Sequence, residues 1–204
     1  MAASQGLTPD EARRFRTGRP CLDLAHTGGD GPYAVFELLH EDADVSRWLS
    51  VITGLDGIAA ADPDVRPARS LRRAVWNAAH AAIAGHAPAR ADRMVINAAA
   101  AGTPPTPVLD SSGAAAVRRP LIASQVLSML ARDAIDLFSS PLASRIRVCA
   151  APDCGLLYLD QSRTGSRRWC SMQRCGTRAK VRTHRARSRV APAVGKAPDP
   201  PDKA

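Results

Sequence analysis

Along the first two thirds of the chain, apolar residues return at helical spacing. Val45, Trp48, Leu49 and Ile52 fall at i, i+3, i+4 and i+7, and the pattern predicts a helix that Gly54 helps to end. Pro67 precedes a second predicted helix, with Leu71, Val75, Ala78 and Ala82 on one stripe, and ARADRMVINAAAAG reads as a third, stopped by Gly102. From Leu121 a longer helix sets Ile122, Val126, Met129, Leu130, Ala134 and Leu137 inward and runs to Ser139-Ser140-Pro141. Between the last two, TPPTPVLDSSGAAAVRRP holds two short extended pieces around residues 111–113, which predicts a small hairpin. Trp48 and Trp76 lie on or beside the apolar stripes and are read as core. RPCLDLAHT, from Arg19, is a short apolar run ending in the turn-rich GGDGP, and it reads as a brief strand or extended segment.

After Pro141 the periodicity stops. The pattern divides the chain into a loose lead-in (1–18), an α-rich domain (19–141), a cysteine-bearing module (142–189) and a Pro- and Ala-rich tail (190–204) expected to be disordered. Within the lead-in, Thr8-Pro9-Asp10-Glu11 could cap a short helix. Only eight of the 204 residues are aromatic, so a core must be filled mainly by Ala, Leu, Val and Ile, as in closely packed helical layers.

The formal charge of +9 is unevenly placed. Residues 1–141 carry 14 Arg against 15 carboxylates, a net of −1, whereas residues 142–190 carry 12 Arg and Lys against Asp153 and Asp160, a net of +10. A compositional preference for Arg would act everywhere, so this asymmetry points to a nucleic-acid partner for the C-terminal part. No segment has the apolar length needed to span a bilayer, and the N-terminus lacks the pattern of a signal peptide; a cytoplasmic location is expected. In a reducing compartment, clustered cysteines are read as metal ligands or redox centres before disulfides.

Four of the five cysteines fall in Cys149-x4-Cys154-x15-Cys170-x4-Cys175. Two pairs separated by a connector suit a tetrahedral Zn2+ site built from two turns, and four thiolates leave no open position, so the site is structural rather than catalytic. Neither pair is Cys-x-x-Cys, which argues against a thioredoxin-type redox centre. Around the ligands, Pro152-Asp153-Cys154-Gly155 is a turn, 156–159 a short strand, 160–166 a second turn and 167–169 the returning strand. Cys170 and Cys175 then open a helix running to about Ser188. A knuckle, a hairpin and a ligand-bearing helix make a treble-clef-like module, and the whole chain is expected to be mainly α with a small β-hairpin. Cys21, alone in its apolar run, reads as a small buried hydrophobe.

On that last helix Arg174, Arg178, Arg182, Arg185 and Arg189 are spaced by 4, 4, 3 and 4 and share one face. With Lys180, and with Arg163, Arg167 and Arg168 from the hairpin, they are candidate contacts to DNA phosphates or guanine edges. A solvated helix, or one docked on an acidic partner, is the plainer alternative.

At these residues the chain resembles the CGNR zinc-finger family. CAAPDCGLLYLDQSRTGSRRWCSMQRCGTRAKVRTHRAR places Cys149, Cys154, Cys170 and Cys175 on the ligand positions, and Trp169, Gly176, Arg178 and Lys180 match the motif. Thr177 stands where the signature has Asn. CLDLAHT is similar to the Leu-Asp-x-x-x-Thr opening of the ABATE domain, with His26 for a common Asn. LRRAVWNAAHAAI, the INAAAA segment and ARDAIDLFSSPLASRIRVC also resemble that domain. The resemblance implies a stress-linked transcription regulator.

Elsewhere no HExxH, Gly-x-Ser-x-Gly or P-loop pattern is present, and no enzyme activity is expected. Asp23, His26 and Thr27, polar residues in an apolar segment, are candidate ligand contacts at the mouth of a pocket among the helices. The reading is therefore a zinc-containing, DNA-binding regulator whose first domain senses a small-molecule effector or forms a homodimer, without a membrane partner. The alternative is a ligand-binding or protein-interaction protein with a purely structural zinc, or an RNA binder.

Overall fold

The structure, a computed structural model, describes residues 15–29, 31–59 and 65–190. The capped turn expected at Thr8-Pro9-Asp10-Glu11 and the tail beyond Val190 lie outside the described residues. Among these residues the helices are α1 (Pro20–Ala25), α2 (Asp42–Thr53), α3 (Arg66–Ile83), α4 (Arg90–Ala100), α5 (Ala123–Ser139) and α6 (Thr177–Val190). Short strands pair two by two: β1 (Ile58–Ala59) runs parallel to β4 (Leu121–Ile122), while β2 (Pro107–Leu109) with β3 (Ala115–Val117) and β5 (Ile146–Val148) with β6 (Leu157–Leu159) are antiparallel. The fold is mainly α, with small sheets.

The apolar stripes become the core. Val45, Trp48 and Leu49 of α2, Leu71, Val75 and Ala78 of α3, and Val126, Leu130, Ala134 and Leu137 of α5 are buried together, with α4 packed on both α3 and α5. The predicted hairpin forms at β2 and β3, with Pro107 opposite Val117. The helix expected from Leu121 begins two residues later, because Leu121 and Ile122 pair with β1 first. Two-residue strands carry too few positions for any period to show.

RPCLDLAHT is not extended: Pro20–Ala25 is a helix, buried from Cys21 to Ala25. Pro20 in the first turn presets the backbone. The Cys21 N–H, which has no acceptor inside a helix at that position, donates to Asp133 Oδ2 at 2.9 Å, and the Arg19 guanidinium reaches Asp133 and Asp136 of α5 at 2.8 and 2.7 Å. A helix enclosed by α3 and α5 has no wet face, so its sequence shows no polar stripe and imitates a strand. Cys21 is buried as expected, and burial together with the Asp133 carboxylate pushes its thiol well above the usual range.

Asp23 of α1 is enclosed too. Burial pushes its carboxyl up to about 7, against hydrogen bonds from Thr17, whose N–H donates to Asp23 Oδ1 at 3.0 Å; nearby Asp133 adds to the rise. The folded state therefore keeps a proton that the unfolded chain has lost above its ordinary carboxylate range. The stability from that proton is complete below about pH 4 and disappears as pH rises through about 7. Asp23→Asn keeps an acceptor for Thr17 and removes the charge. Unfolding free energies from urea titrations should fall less between pH 5 and pH 8.5 for the variant than for wild type, by on the order of 2–4 kcal/mol; equal falls would contradict the assignment.

The C-terminal module is not a separate bead. Leu157 and Leu159 of β6 and Ile146 of β5 belong to the helical core, whereas Tyr158 points to the other side and packs with Cys149, Ala151 and Cys175. Alternation along one strand thus feeds two cores, and burying each leucine contributes about 2 kcal/mol. One edge of β6 pairs with β5. The other is occupied by the segment ahead of α1 and by the first domain: Leu159 N–H donates to Thr17 O at 2.7 Å, and Leu157 N–H to His26 Nε2 at 3.0 Å. Residues 167–169, expected as the returning strand, therefore find no free edge on β6. They run along the first cysteine turn, where Ala150 N–H donates to Arg168 O at 2.9 Å.

Candidate metal centre

The β5–β6 hairpin has the first cysteine pair in its loop. Cys149 follows β5 directly and its N–H donates to Leu156 O at 2.9 Å, extending the ladder; Cys154 N–H closes a turn onto Ala151 O at 3.1 Å. Gly155 leaves that turn at φ 68°, a left-handed conformation costly for a residue with a Cβ. In the second pair Cys170 precedes, and Cys175 lies within, a wide π-helical turn, Met172–Gly176, entered through Ser171, whose Oγ accepts from Arg174 N–H at 3.4 Å. The Cys175 and Gly176 N–H groups both return to Ser171 O, at 3.0 and 3.1 Å. The extra residue in that turn carries Cys175 back beside Cys170 before α6 begins.

The four sulfurs lie within 4.8 Å of one another. Cys154 Sγ is 3.6 Å from Cys170 Sγ, and Cys170 Sγ is 3.7 Å from Cys175 Sγ. A tetrahedron with Zn–S bonds of about 2.3 Å has S···S edges of about 3.8 Å, so these spacings fit the ion. The electrostatics point the same way. A hydrogen bond from Cys170 lowers the Cys154 thiol to about 5, while the same contact, with burial, drives Cys170 upward. The cluster cannot hold all its thiolates so close without a cation among them. Zinc in this site would be held by Cys149, Cys154, Cys170 and Cys175, with no position left for substrate. Around the sulfurs, Cys170 N–H points at Cys149 Sγ at 3.4 Å and Arg178 Nη2 at Cys175 Sγ at 3.7 Å. Both offset the charge of a four-thiolate centre. A Cβ on Gly176 would lie 2.9 Å from the Met172 side chain and 3.3 Å from Trp169 Cδ1, so this place beside Cys175 admits no side chain without displacing them.

A comparison with protein-family models matches residues 18–141 to ABATE, described as "Putative stress-induced transcription regulator", and residues 145–188 to the CGNR zinc finger. The chain belongs to the ABATE family. No curated protein matches it. The ABATE domain comprises α1 to α5 with the first two sheets, and the CGNR finger holds the metal centre and α6. Thr177, which replaces the signature Asn of the finger, donates from Oγ1 to Met172 O at 3.1 Å and so ties the π-helical turn to the first turn of α6.

The structure separates the basic residues that the sequence groups together. Arg178 is anchored to the metal centre: besides its contact with Cys175 it pairs with Asp153 of the first cysteine turn at 2.8 Å, and Arg182 reaches the same carboxylate at 3.6 Å. Arg167 lies over the Tyr158 ring at 4.9 Å and donates to Trp169 O at 2.7 Å and to Cys170 O, wrapping the second cysteine turn. Arg168 lies over the Trp169 ring at 5.2 Å. Arg163, Lys180, Arg182 and Arg185 are exposed, Arg174 is half-buried, and the side chain of Arg189 lies outside the described residues.

Asp23, His26 and Thr27 are buried rather than at a pocket mouth, at 8%, 7% and 0% exposure. Asp23 accepts from Thr17, the His26 ring serves β6 and meets Trp76 edge-on at 5.7 Å, and Thr27 Oγ1 donates to Leu24 O at 2.8 Å. Of the three, His26 joins the ABATE domain directly to the finger, and Asp23 holds Thr17, whose carbonyl accepts from β6. Sequence reasoning missed the acidic partner Asp153, although its place between two ligands was a usable signal. It also missed the pairing of buried Arg72 with the half-buried Glu37, 35 residues away.

Proposed function

We propose that this protein is a DNA-binding transcription regulator, not an enzyme, in which the zinc centre holds α6 so that its outer arginines meet the phosphates of a duplex. The observation that carries the reading is the division of labour along α6. Arg178 is tied to Asp153 and Cys175; Arg182 only reaches the same carboxylate at 3.6 Å and stays exposed, as do Lys180 and Arg185, on a segment of strongly positive charge. A helix rooted in this way presents its cations at little further entropic cost. The family description supports the same reading. The ABATE domain, joined to the finger through β6, is assigned the sensing or self-associating part. No helix among the described residues is long and apolar enough to cross a membrane.

The test leaves Arg178 intact, because reversing its charge would disturb the metal centre as well. Arg182→Glu with Arg185→Glu should weaken binding to duplex DNA more than about tenfold and flatten the dependence of log affinity on log salt by about 2, at unchanged zinc content. Fluorescence anisotropy across a salt series, with metal analysis of the same samples, measures both. Wild-type protein that binds genomic DNA no better than a neutral control would end this reading. Equal binding to single-stranded RNA would favour RNA as the partner.

A further inference from the structure

Beside the metal centre lies a half-open cleft of about 570 Å³, a volume suited to a small ligand. Four guanidiniums line it: Arg167, Arg174 and Arg178 from the finger and Arg16 from the segment ahead of α1. Ser171 and Thr177 add hydroxyls, and none of the described lining residues carries a carboxylate. Only one zinc ligand, Cys170, reaches its wall, so the cleft is not the metal site itself.

Two of the arginines are already fixed. Arg167 is held by Trp169 O and Cys170 O, and Arg178 by Asp153 and Cys175 Sγ. The Arg178 Nε–H is buried and has no hydrogen-bond partner. Fixed guanidiniums lose little freedom on binding. Although these contacts use one N–H of each engaged nitrogen, the remaining N–H groups and the positive charge of the four arginines suit the several oxygens and double charge of a phosphate better than a single carboxylate.

We propose that this cleft binds the phosphate group of a ligand, and that through Arg16 the bound phosphate ties the segment ahead of α1 to the finger. The proposal stands whether or not α6 binds a duplex. The probe is adenosine 5′-monophosphate, titrated calorimetrically into zinc-loaded full-length protein in phosphate-free buffer, with adenosine as the control lacking phosphate. Saturable binding of the monophosphate and none of adenosine is expected. Arg16→Glu should weaken it about tenfold or more, and Arg174→Glu likewise. Arg185→Glu, on α6 but outside the cleft, should leave it unchanged. Binding no tighter than that of adenosine, or an equal loss in Arg185→Glu, overturns the proposal. A duplex added to the complex identifies the source. Displacement of the nucleotide makes the phosphate one of the DNA backbone, while simultaneous binding makes it that of a free phosphorylated ligand. Loss of duplex binding in Arg182→Glu/Arg185→Glu with the nucleotide still bound separates failure at α6 from failure here.

Discussion

Stripping the metal, or replacing Cys175 with Ser, is expected to unfold the finger as a unit and to weaken the ABATE domain with it. The apolar cluster on the finger side of β6 consists of Cys149, Ala151, Tyr158 and Cys175, with Cys154, Trp169 and Cys170 packed around it. Four of those seven side chains are the ligands themselves, so little burial survives without the ion. Structural zinc supplies on the order of 10–16 kcal/mol of apparent binding energy in small fingers, far more than such a cluster can. Far-ultraviolet circular dichroism should show loss of α6 on chelation, and the melting temperature of the whole chain should fall. Cys21→Ser should leave the metal content unchanged. A chelated protein that kept its helix content and its melting temperature would show that the ion does not hold the module.

The second large effect is expected in the ABATE domain, at Arg72. Arg72 of α3 is 4% exposed and meets Glu37 through two parallel hydrogen bonds of 2.7 and 2.8 Å, while its Nη1 also donates to Thr27 O at 3.3 Å. Leu38 N–H donates to that same Thr27 O at 2.8 Å, and Arg69 grips Leu39 O at 2.9 and 2.6 Å. The two arginines thus clamp Thr27, Glu37 and Leu39 onto α3. Space for the clamp comes from Gly28, where at φ 146° a Cβ would lie 2.8 Å from both Arg72 Nη1 and Glu37 Oε1. Arg72→Met leaves the half-buried Glu37 carboxylate with only Arg69, 4.0 Å away, and the Leu38 and Leu39 N–H groups, and should cost about 2–4 kcal/mol. Arg72→Met with Glu37→Met should recover much of that loss, since neither charge is then stranded. Urea titrations of the two single variants and the double close the cycle. An additive double variant would mean that the pair contributes nothing as a pair.

These two sites differ in how far the sequence discloses them. The cysteines announce themselves because a metal needs particular atoms at short, repeatable spacings, and nothing else in the chain competes for that pattern. α2, α3, α4 and α5 are legible because each has a wet side and a dry side. α1 is not, since enclosure on every side erases the contrast that a period requires. The finger hairpin was misassigned for a related reason. Segments 156–159 and 167–169 are neighbours in sequence, yet the second edge of β6 is taken by Thr17 and His26, more than 130 residues upstream. Arg72 and Glu37 illustrate the hardest case, in which two ordinary charged residues acquire their meaning only when the chain brings them together. The arginine stripe was half legible: helical spacing showed which residues share a face, but not that Asp153 and Cys175 claim one of them.

β6 has a consequence for how this protein can be divided. Its three residues are at once the wall of the helical core and the wall of the metal cluster, with Leu157 and Leu159 facing one way and Tyr158 the other. The finger is therefore no interchangeable cartridge. Cutting it away would open the ABATE core to water, and transplanting it alone would carry two leucines into solvent. A push on one side of a strand this short must be felt on the other, which makes β6 a joint between the first domain and the metal cluster.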